Sequence, residues 1–443
     1  MIAGAARRRG AVLILVLLLL TLTVTLVLGL AREVKVEVAV AGQAVDEAEL
    51  RALAQSAVER ALAEVCADRY APATLLSPWR DDEARFRGAP HGAGRFWLLL
   101  SEPDPGDARE LRFGVRDEAG KLNVNAATRE QLLQVPGITE DAVDGILDWR
   151  DEDEEALEFG AEAPYYAALD PPYLPKNGPI ESLEELLRVR GVDAAILWGE
   201  DRNRNGILDP GEDDGDESFP PDDMDGLLDR GLSDYLTVYS RELNRTLDGR
   251  ARLVWSQATV EDLTARLTEA GLAEGPLNRL RQLKVTGQEV QGLGQLIAGP
   301  EFDEAAATIV LDELSVLEAE SNVGRINVNT APREVLLGLP GLEAGDVESI
   351  LARRLEGGAD LTSPAWLLRA IPPPKLQAIA DLVTTRAEQF TVHAAVCLDH
   401  RPARFMRVEV VIDRGFVPAR IVTWKDLTGL GFPLPGERGT ELP

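Results

Sequence analysis

The sequence predicts an α+β protein in which a long N-terminal helix precedes an antiparallel β-sheet, and a large helical domain interrupts that sheet. Three observations support this prediction. An uncharged apolar run near the N-terminus passes into a segment with helical periodicity. β-type runs occur on both sides of a long stretch that reads as helical. Within that stretch, Gly120–Ile138 and Gly324–Leu342 are identical at eleven of nineteen aligned positions.

The apolar run is the first element. Ala11–Ala31 contains no charge and is long enough to cross a bilayer as a helix. Arg7–Arg9 precede it, which predicts a cytoplasmic N-terminus and places the chain after Arg32 on the other side of the membrane. We therefore predict a leader over residues 1–10 and a transmembrane helix over residues 11–31.

The helix is predicted to continue through residues 32–66 as an amphipathic segment. Its apolar residues fall on one stripe, which comprises Leu50, Leu53, Ala57, Ala61 and Val65. The alternative is a secretory signal peptide, since Gly29 and Ala31 have the spacing of a cleavage site. Signal peptides have apolar cores of about 7–15 residues, and this run is longer, which favours a retained helix.

The β-type runs define the second element. Two precede the helical stretch (Gly94–Glu102 and Arg109–Asp117), and three follow it (Glu388–His400, Arg404–Gly415 and Val417–Leu427). Two strands alone make a marginal sheet, so we favour one sheet domain over three consecutive domains. The prediction is a sheet domain built from residues 67–118 and 388–428, an inserted helical domain over residues 119–387, and a flexible tail over residues 429–443.

The repeated stretch organises the helical domain. Each copy reads as a short β-type run, an asparagine (Asn125 or Asn329) predicted to cap the next helix, that helix, a Pro-Gly turn and a second helix. Weaker relatives follow at Ser182–Leu197 and Ser363–Val383. We therefore predict two double units of the helix-hairpin-helix type.

Composition excludes several functions. The formal charge of −29 disfavours nucleic acid and anionic lipid surfaces, because the body of the chain has no basic patch. Two cysteines, Cys66 and Cys397, do not make a disulfide scaffold, and whether they pair is left open. No nucleophile motif, P-loop or zinc-protease motif is present. We predict a protein without catalytic residues and without a small-molecule substrate.

An acidic stretch predicts a calcium site. Asp201–Glu212 has the spacing of an EF-hand loop, with Gly206 at the turn. The predicted ligands are Asp201, Asn203, Asn205, Ile207 through its carbonyl, Asp209 and Glu212. The alternative is a solvated acidic loop. The acidic cluster Asp151–Glu155 likewise suits a solvated loop or a hard cation such as calcium. A weaker second set consists of Asp223, Asp225 and Asp229.

Several stretches together resemble one family. They are "DEAGKLNVNAAT", "DWRDEDEE", "GAEAPYYAALDPPYLPKNGPIESLEELLRVRGV", "YLTVYS" and "GRINVNTAPREVLLGLPG", combined with the N-terminal helix. The chain resembles the minor pseudopilin K family of type II secretion (general secretion pathway protein K). The Gly10–Ala11 junction is similar to the cleavage site of prepilin peptidase.

The resemblance implies a pilin-like sheet, calcium in the helical domain, and cleavage by prepilin peptidase. It also implies an inner-membrane protein with a single span and a periplasmic C-terminal domain. The implied partners are the major pseudopilin and other minor pseudopilins, and the implied role is that of a tip subunit supporting protein export across the outer membrane. The alternatives are a minor pilin of a type IV pilus and a membrane-tethered nucleic-acid-binding protein for DNA uptake.

The chain departs from pilin-like proteins in general at one position, and from the protein K family over one segment. Most type IV pilins and pseudopilins have a glutamate at the fifth mature position, where this chain has Leu15. That carboxylate is thought to pair with the N-terminal ammonium of the subunit above. A tip subunit has no subunit above it, so its carboxylate would stay unpaired in the apolar zone, where a lone charge is costly. Residues 243–323 match nothing expected in the family, and the sequence assigns them no role beyond a mostly helical expansion.

Overall fold

The computed structural model describes residues 3–100, 111–215, 217–222, 224–356, 360–434 and 436–437, with the backbone alone for residues 3–11. Its α-helices are α1 (Ala3–Cys66), α2 (Glu83–Phe86), α3 (Arg129–Leu132), α4 (Glu140–Arg150), α5 (Ala163–Ala167), α6 (Ala194–Trp198), α7 (Val260–Glu269), α8 (Glu274–Val285), α9 (Leu293–Leu296), α10 (Glu304–Glu313), α11 (Arg333–Leu337), α12 (Ala344–Arg354) and α13 (Pro373–Ile379). Short 3₁₀ helices lie at Glu118–Gly120, Leu183–Arg188, Leu232–Asp234, Pro364–Arg369 and Thr428–Leu430.

The β-strands fall into two groups by length and position. The strands of the main sheet are β1 (Ala89–His91), β2 (Gly94–Leu100), β3 (Arg112–Phe113), β4 (Arg116–Asp117), β13 (Gln389–Leu398), β14 (Arg401–Asp413) and β15 (Arg420–Asp426). The short strands of the helical part are β5 (Leu122–Asn123), β6 (Leu236–Thr237), β7 (Arg241–Leu243), β8 (Leu253–Val254), β9 (Leu314–Ser315), β10 (Ser321–Val323), β11 (Ile326–Asn327) and β12 (Val383–Thr384).

The N-terminal helix is continuous, as predicted. The large apolar side chains of its first half, from Val12 to Leu30, are exposed, whereas every residue of the predicted stripe between Leu50 and Val65 is buried. Among the described residues, α1 is the one helix long and apolar enough to span a membrane. One helix therefore combines a segment suited to lipid with a segment that covers the sheet.

The sheet brings the two ends of the chain together. It is antiparallel in the order β1-β2-β13-β14-β15, with β3 paired to β2 and β4 paired to β13. Strands β2 and β13 are adjacent from Leu99 opposite His393 to Gly94 opposite Leu398. The strands before and after the helical part thus form one sheet, and α1 packs on it to form a common core. The α+β class is confirmed.

Two expectations about this core need comment. The tail predicted to be flexible contributes to the core, since Phe432 and Leu434 are buried and Phe432 lies edge-on to Trp97 at 5.3 Å. The prediction was wrong for these residues, because composition alone does not show that an apolar pair finds room at a sheet edge. Cys66 and Cys397 do not form a disulfide in this structure.

The helical part has a hydrophobic core of its own. Its internal organisation accounts for residues 243–323, to which the sequence assigned no role. Three repeat units follow one another: unit one (122–237), unit two (253–315) and unit three (326–384). Each starts with a short strand, continues through helices, and ends in a short strand that pairs in parallel with the first. The first paired residues are Leu122 with Leu236, Leu253 with Leu314, and Ile326 with Val383.

The three units agree in detail as well as in outline. In each one, a hydroxyl in the closing strand accepts a hydrogen bond from the backbone N–H two residues later; the hydroxyls belong to Thr237, Ser315 and Thr384. A glycine with positive φ turns the chain between the first two helices, at Gly137, Gly271 and Gly341. Residues 243–323 are therefore largely a third copy, which the sequence conceals because unit two lacks the asparagines and the Pro-Gly turn.

The predicted asparagine caps are wrong. Thr128 caps α3, and α11 follows Pro332 without a side-chain cap. Asn125 instead exchanges two hydrogen bonds with the backbone of Ile180, at 2.9 and 2.8 Å. The asparagine lies three residues before the cap position, so its amide reaches across to the next segment of the same unit rather than to the helix.

Candidate functional site

The acidic loop is an insertion in the first repeat unit. In units two and three the last helix leads into the closing strand within a few residues, whereas in unit one residues 199–235 separate α6 from β6. The loop contains the predicted calcium ligands Asp201 to Glu212. No α-helix follows Glu212 in the described part of this insertion.

The predicted ligands lie together. The Asp201 carboxylate accepts hydrogen bonds from the backbone N–H groups of Asn205 and Gly206, at 2.9 and 2.8 Å. The Glu212 carboxylate accepts from the backbone of Asp209 at 3.1 Å. Backbone groups thus fix both carboxylates inside the turn of the loop.

The remaining predicted side chains complete this cluster. The amide groups of Asn203 and Asn205 both donate to Asp209 Oδ2, at 2.6 and 3.0 Å. The Ile207 N–H donates to Asn205 Oδ1 at 2.7 Å, while its side chain packs against the core of the sheet. The predicted positions therefore form one hydrogen-bonded turn rather than an extended solvated run.

The electrostatics of the loop suit a cation. Asp201 and Glu212 are only 7% and 5% exposed. Burial raises the pKa of both carboxyl groups, and the pKa of Glu212 is raised further by Asp201 and Asp209. Carboxylate and amide oxygens are the donors that calcium prefers, and a divalent charge would offset the repulsion. The residues present therefore fit calcium.

The loop is anchored on the sheet. The Arg407 guanidinium, from β14, donates to the carbonyl of Asn203 at 2.7 Å and also to that of Arg204. The Asn205 amide donates to the carbonyl of Pro433 at 3.3 Å. The loop thus bridges the helical part and the sheet.

The weaker second set is arranged differently. Asp225 and Asp229 each accept a hydrogen bond from the backbone N–H two residues later, at 2.7 and 2.9 Å. Asp223 lies outside the described residues. The second set therefore stays a prediction. The backbone of the predicted processing site, Gly10–Ala11, lies within α1.

Sequence reasoning identified only part of a further acidic cluster. In the described part of the chain, Asp151, Asp153 and Glu162 offer carboxylate oxygens that lie within 4.8 Å of one another. The acidic cluster was visible in the sequence, but Glu162 was not singled out. The sequence feature that could have indicated Glu162 is its position between Ala161 and Ala163, as a lone glutamate in a stretch of small and aromatic residues.

Comparisons with known proteins agree with the resemblance. The family model described as "Type II secretion system (T2SS), protein K" matches residues 112–198. A type II secretion system protein K of Aeromonas hydrophila is 32% identical over a 129-residue alignment, which covers 23% of this chain and 39% of that protein. The chain thus spans about two fifths of the length of that relative.

A solved structure is also similar. It is the GspK-GspI-GspJ complex from the type 2 secretion system of enterotoxigenic Escherichia coli, with a TM-score of 0.45 at 13% identity, covering 87% of this chain and 98% of the other. The family match over residues 112–198 confirms the resemblance to protein K that the sequence motifs indicated.

Proposed function

We propose that this chain is a minor pseudopilin of a type II secretion system. In this proposal it has no enzymatic activity, sits at the tip of the pseudopilus and supports protein export across the outer membrane. The match of residues 112–198 to the protein K family carries the proposal. The long helix fits the role, because its first half is exposed and apolar while its last part, from Leu50 to Val65, packs on the sheet.

The helix also supports the proposed location and partners. Beyond the apolar run, Val34, Val36, Val38 and Val40 remain exposed on α1, and because residues four apart share a helix face, they form a pair of valines on each of two opposite sides. Such surfaces are suited to packing against the helices of the major pseudopilin and of other minor pseudopilins. The proposed arrangement is a single span of the inner membrane, with the sheet and helical part in the periplasm.

Co-assembly tests this function. The full chain is co-expressed with the minor and major pseudopilins of its own secretion system and purified in detergent. We expect it to retain the other minor pseudopilins, and a Leu15→Glu variant to insert less well, because it adds a lone charge to the apolar segment. Purification without any pseudopilin, together with DNA binding at low salt, would instead support the nucleic-acid alternative.

Processing gives a second prediction. Co-expression with prepilin peptidase is expected to leave Ala11 at the mature N-terminus, and Gly10→Val is expected to abolish this cleavage because a branched side chain replaces the glycine. N-terminal sequencing measures the outcome. Gly29→Val is the matched control, since it alters the signal-peptidase spacing and leaves Gly10 in place. A mature N-terminus at Arg32 that Gly29→Val prevents would contradict the anchor proposal.

Calcium at the Asp201–Glu212 loop gives a third prediction. After the full chain has been stripped of metal with a chelator, we expect calcium to raise the unfolding midpoint. The free energy of unfolding should increase by about 2.7 kcal/mol when the calcium concentration is about one hundred times the dissociation constant. Magnesium should do less, because it requires tighter octahedral geometry. Hydrogen exchange is expected to slow mainly between Val192 and Ser233.

The variant Glu212→Gln should remove the part of the calcium response that belongs to this loop. Asp213→Asn is the control, because Asp213 is adjacent, carries the same charge and is exposed. If hydrogen exchange between Val192 and Ser233 is the same with and without millimolar calcium, the loop is a solvated acidic turn.

A further inference from the structure

A cavity of about 110 Å³ lies where the sheet, the first repeat unit and the acidic loop meet. Leu183, Trp198 and Val411 form an apolar part of its wall. Arg204 and Arg230, both from the acidic loop, line it with guanidinium groups. The cavity therefore combines an apolar surface with two cationic side chains.

Arg204 is held in this wall by an uncommon backbone conformation. Its φ is +56°, in the left-handed region that residues other than glycine rarely adopt. Its guanidinium lies over the Trp198 ring, 3.5 Å from the ring centre. Within the described part of the chain, this guanidinium donates no hydrogen bond and forms no ion pair. Stacking occupies the face of the guanidinium, so the N–H groups on its edge stay available for an acceptor.

Arg230 is a second cation with unused donors. Its Nη2 donates to the carbonyl of Gly206 at 3.3 Å, whereas its Nε is buried without a hydrogen-bond partner among the described residues. No ion pair joins it to a described carboxylate. A buried donor without an acceptor destabilises a fold. Two arginines with unused donors on one cavity therefore indicate an acceptor that the described chain does not supply.

The carboxylates that line the same cavity do not fill this role, because each of them has other hydrogen-bonded partners in the described structure. The pairs are Glu118 with Thr237 and Thr391, Glu184 and Glu409 with Lys425, Asp234 with Arg116, and Asp201 with the backbone N–H groups of Asn205 and Gly206. None of these carboxylates bonds to the two unused guanidinium groups. Their own charges would repel a dianion more strongly than a monoanion, which favours a ligand with a single negative charge.

We infer that this cavity binds a small monocarboxylate. The planar fork of Arg204 matches a carboxylate, which can accept two parallel N–H···O bonds from it. Arg230 offers further donors to the same anion, and the apolar wall at Trp198, Leu183 and Val411 suits a short aliphatic group attached to the carboxylate. This inference does not depend on a role in secretion.

Isothermal titration of the full chain in detergent with sodium propionate tests the inference. Calcium is kept at one fixed concentration, and the heat of adding sodium chloride at the same ionic strength is subtracted. We expect saturable binding of one propionate per chain. Arg204→Met should weaken it by more than about tenfold, because a charged pair of hydrogen bonds is lost. Arg202→Met is the matched control, since Arg202 is exposed in the same loop, and it should bind like the parent.

Two further variants distinguish binding in the cavity from a change in the fold. Arg204→Lys keeps the charge but not the planar fork, so its affinity should lie between those of the parent and Arg204→Met. Propionate should also change the tryptophan emission of the parent, and this change should be absent in Trp198→Phe. Equal affinities in the parent and both Arg204 variants would overturn the inference. So would a parent that shows no saturable heat with propionate, or one that binds sulfate more tightly.

Discussion

Replacing Arg414 with methionine is expected to lower the free energy of unfolding by about 3–5 kcal/mol. Arg414 is 2% exposed and lies directly after β14. Its guanidinium donates to four backbone carbonyls, those of Val65 at 2.8 Å, Asp68 at 3.2 Å, Ala71 at 3.3 Å and Ala387 at 2.9 Å. Methionine fills a similar volume but leaves these carbonyls without their donor.

The reason for the size of the effect is the place of these contacts. The carbonyls belong to the end of α1, the segment that follows it, and the residues that lead into β13. One side chain therefore joins the long helix to the sheet. Urea unfolding followed by tryptophan fluorescence measures the loss, since Arg414 stacks on Phe390 and Trp79 lies edge-on to the same ring.

The control for Arg414 is Arg404→Met. The Arg404 side chain is 46% exposed, and its ion pair with Asp46 is 3.7 Å long. Asp46 is buried but keeps a closer ion pair with Arg401, at 2.7 Å, so the control should unfold close to the parent. Similar losses for the two variants would show that the carbonyl contacts of Arg414 do not hold α1 to the sheet.

Asn329→Ala is expected to lower the free energy of unfolding by about 2–4 kcal/mol. Asn329 is fully buried, and its amide nitrogen donates to the carbonyls of Ala73 at 3.2 Å and Leu361 at 3.0 Å. Its amide oxygen accepts from the Trp366 indole at 2.9 Å. Alanine removes all three bonds and leaves a cavity.

The repeat supplies a matched control for this prediction. Asn125 holds the equivalent position in unit one, is half-buried, and exchanges two hydrogen bonds with Ile180 alone. Asn125→Ala should therefore cost less, about 1–2 kcal/mol. Chemical unfolding of both variants measures the difference, and an equal or reversed order would contradict the assignment of Asn329 as a connection between the helical part and Ala73.

The local sequence pattern correctly predicted which residues are buried where one face of a helix packs against the core. The stripe from Leu50 to Val65 predicted which face of α1 is buried, because residues three and four apart share a helix face whatever they pack against. The runs of β-type residues likewise predicted the strands of the main sheet. The asparagine caps failed because an amide can bond to any backbone within reach, and the residues near Asn125 and Asn329 come from distant parts of the chain.

The sequence by itself determined the long helix, the strands at both ends, the first and third repeat units and the spacing of the Asp201–Glu212 loop. These features depend on periodicity and on residues close in the chain. Only the tertiary structure decided that unit two is a third copy, since its parallel strand pair joins residues about sixty positions apart. It also decided that Glu162 faces Asp151 and Asp153, because burial and the lack of partners arise when separate segments pack together.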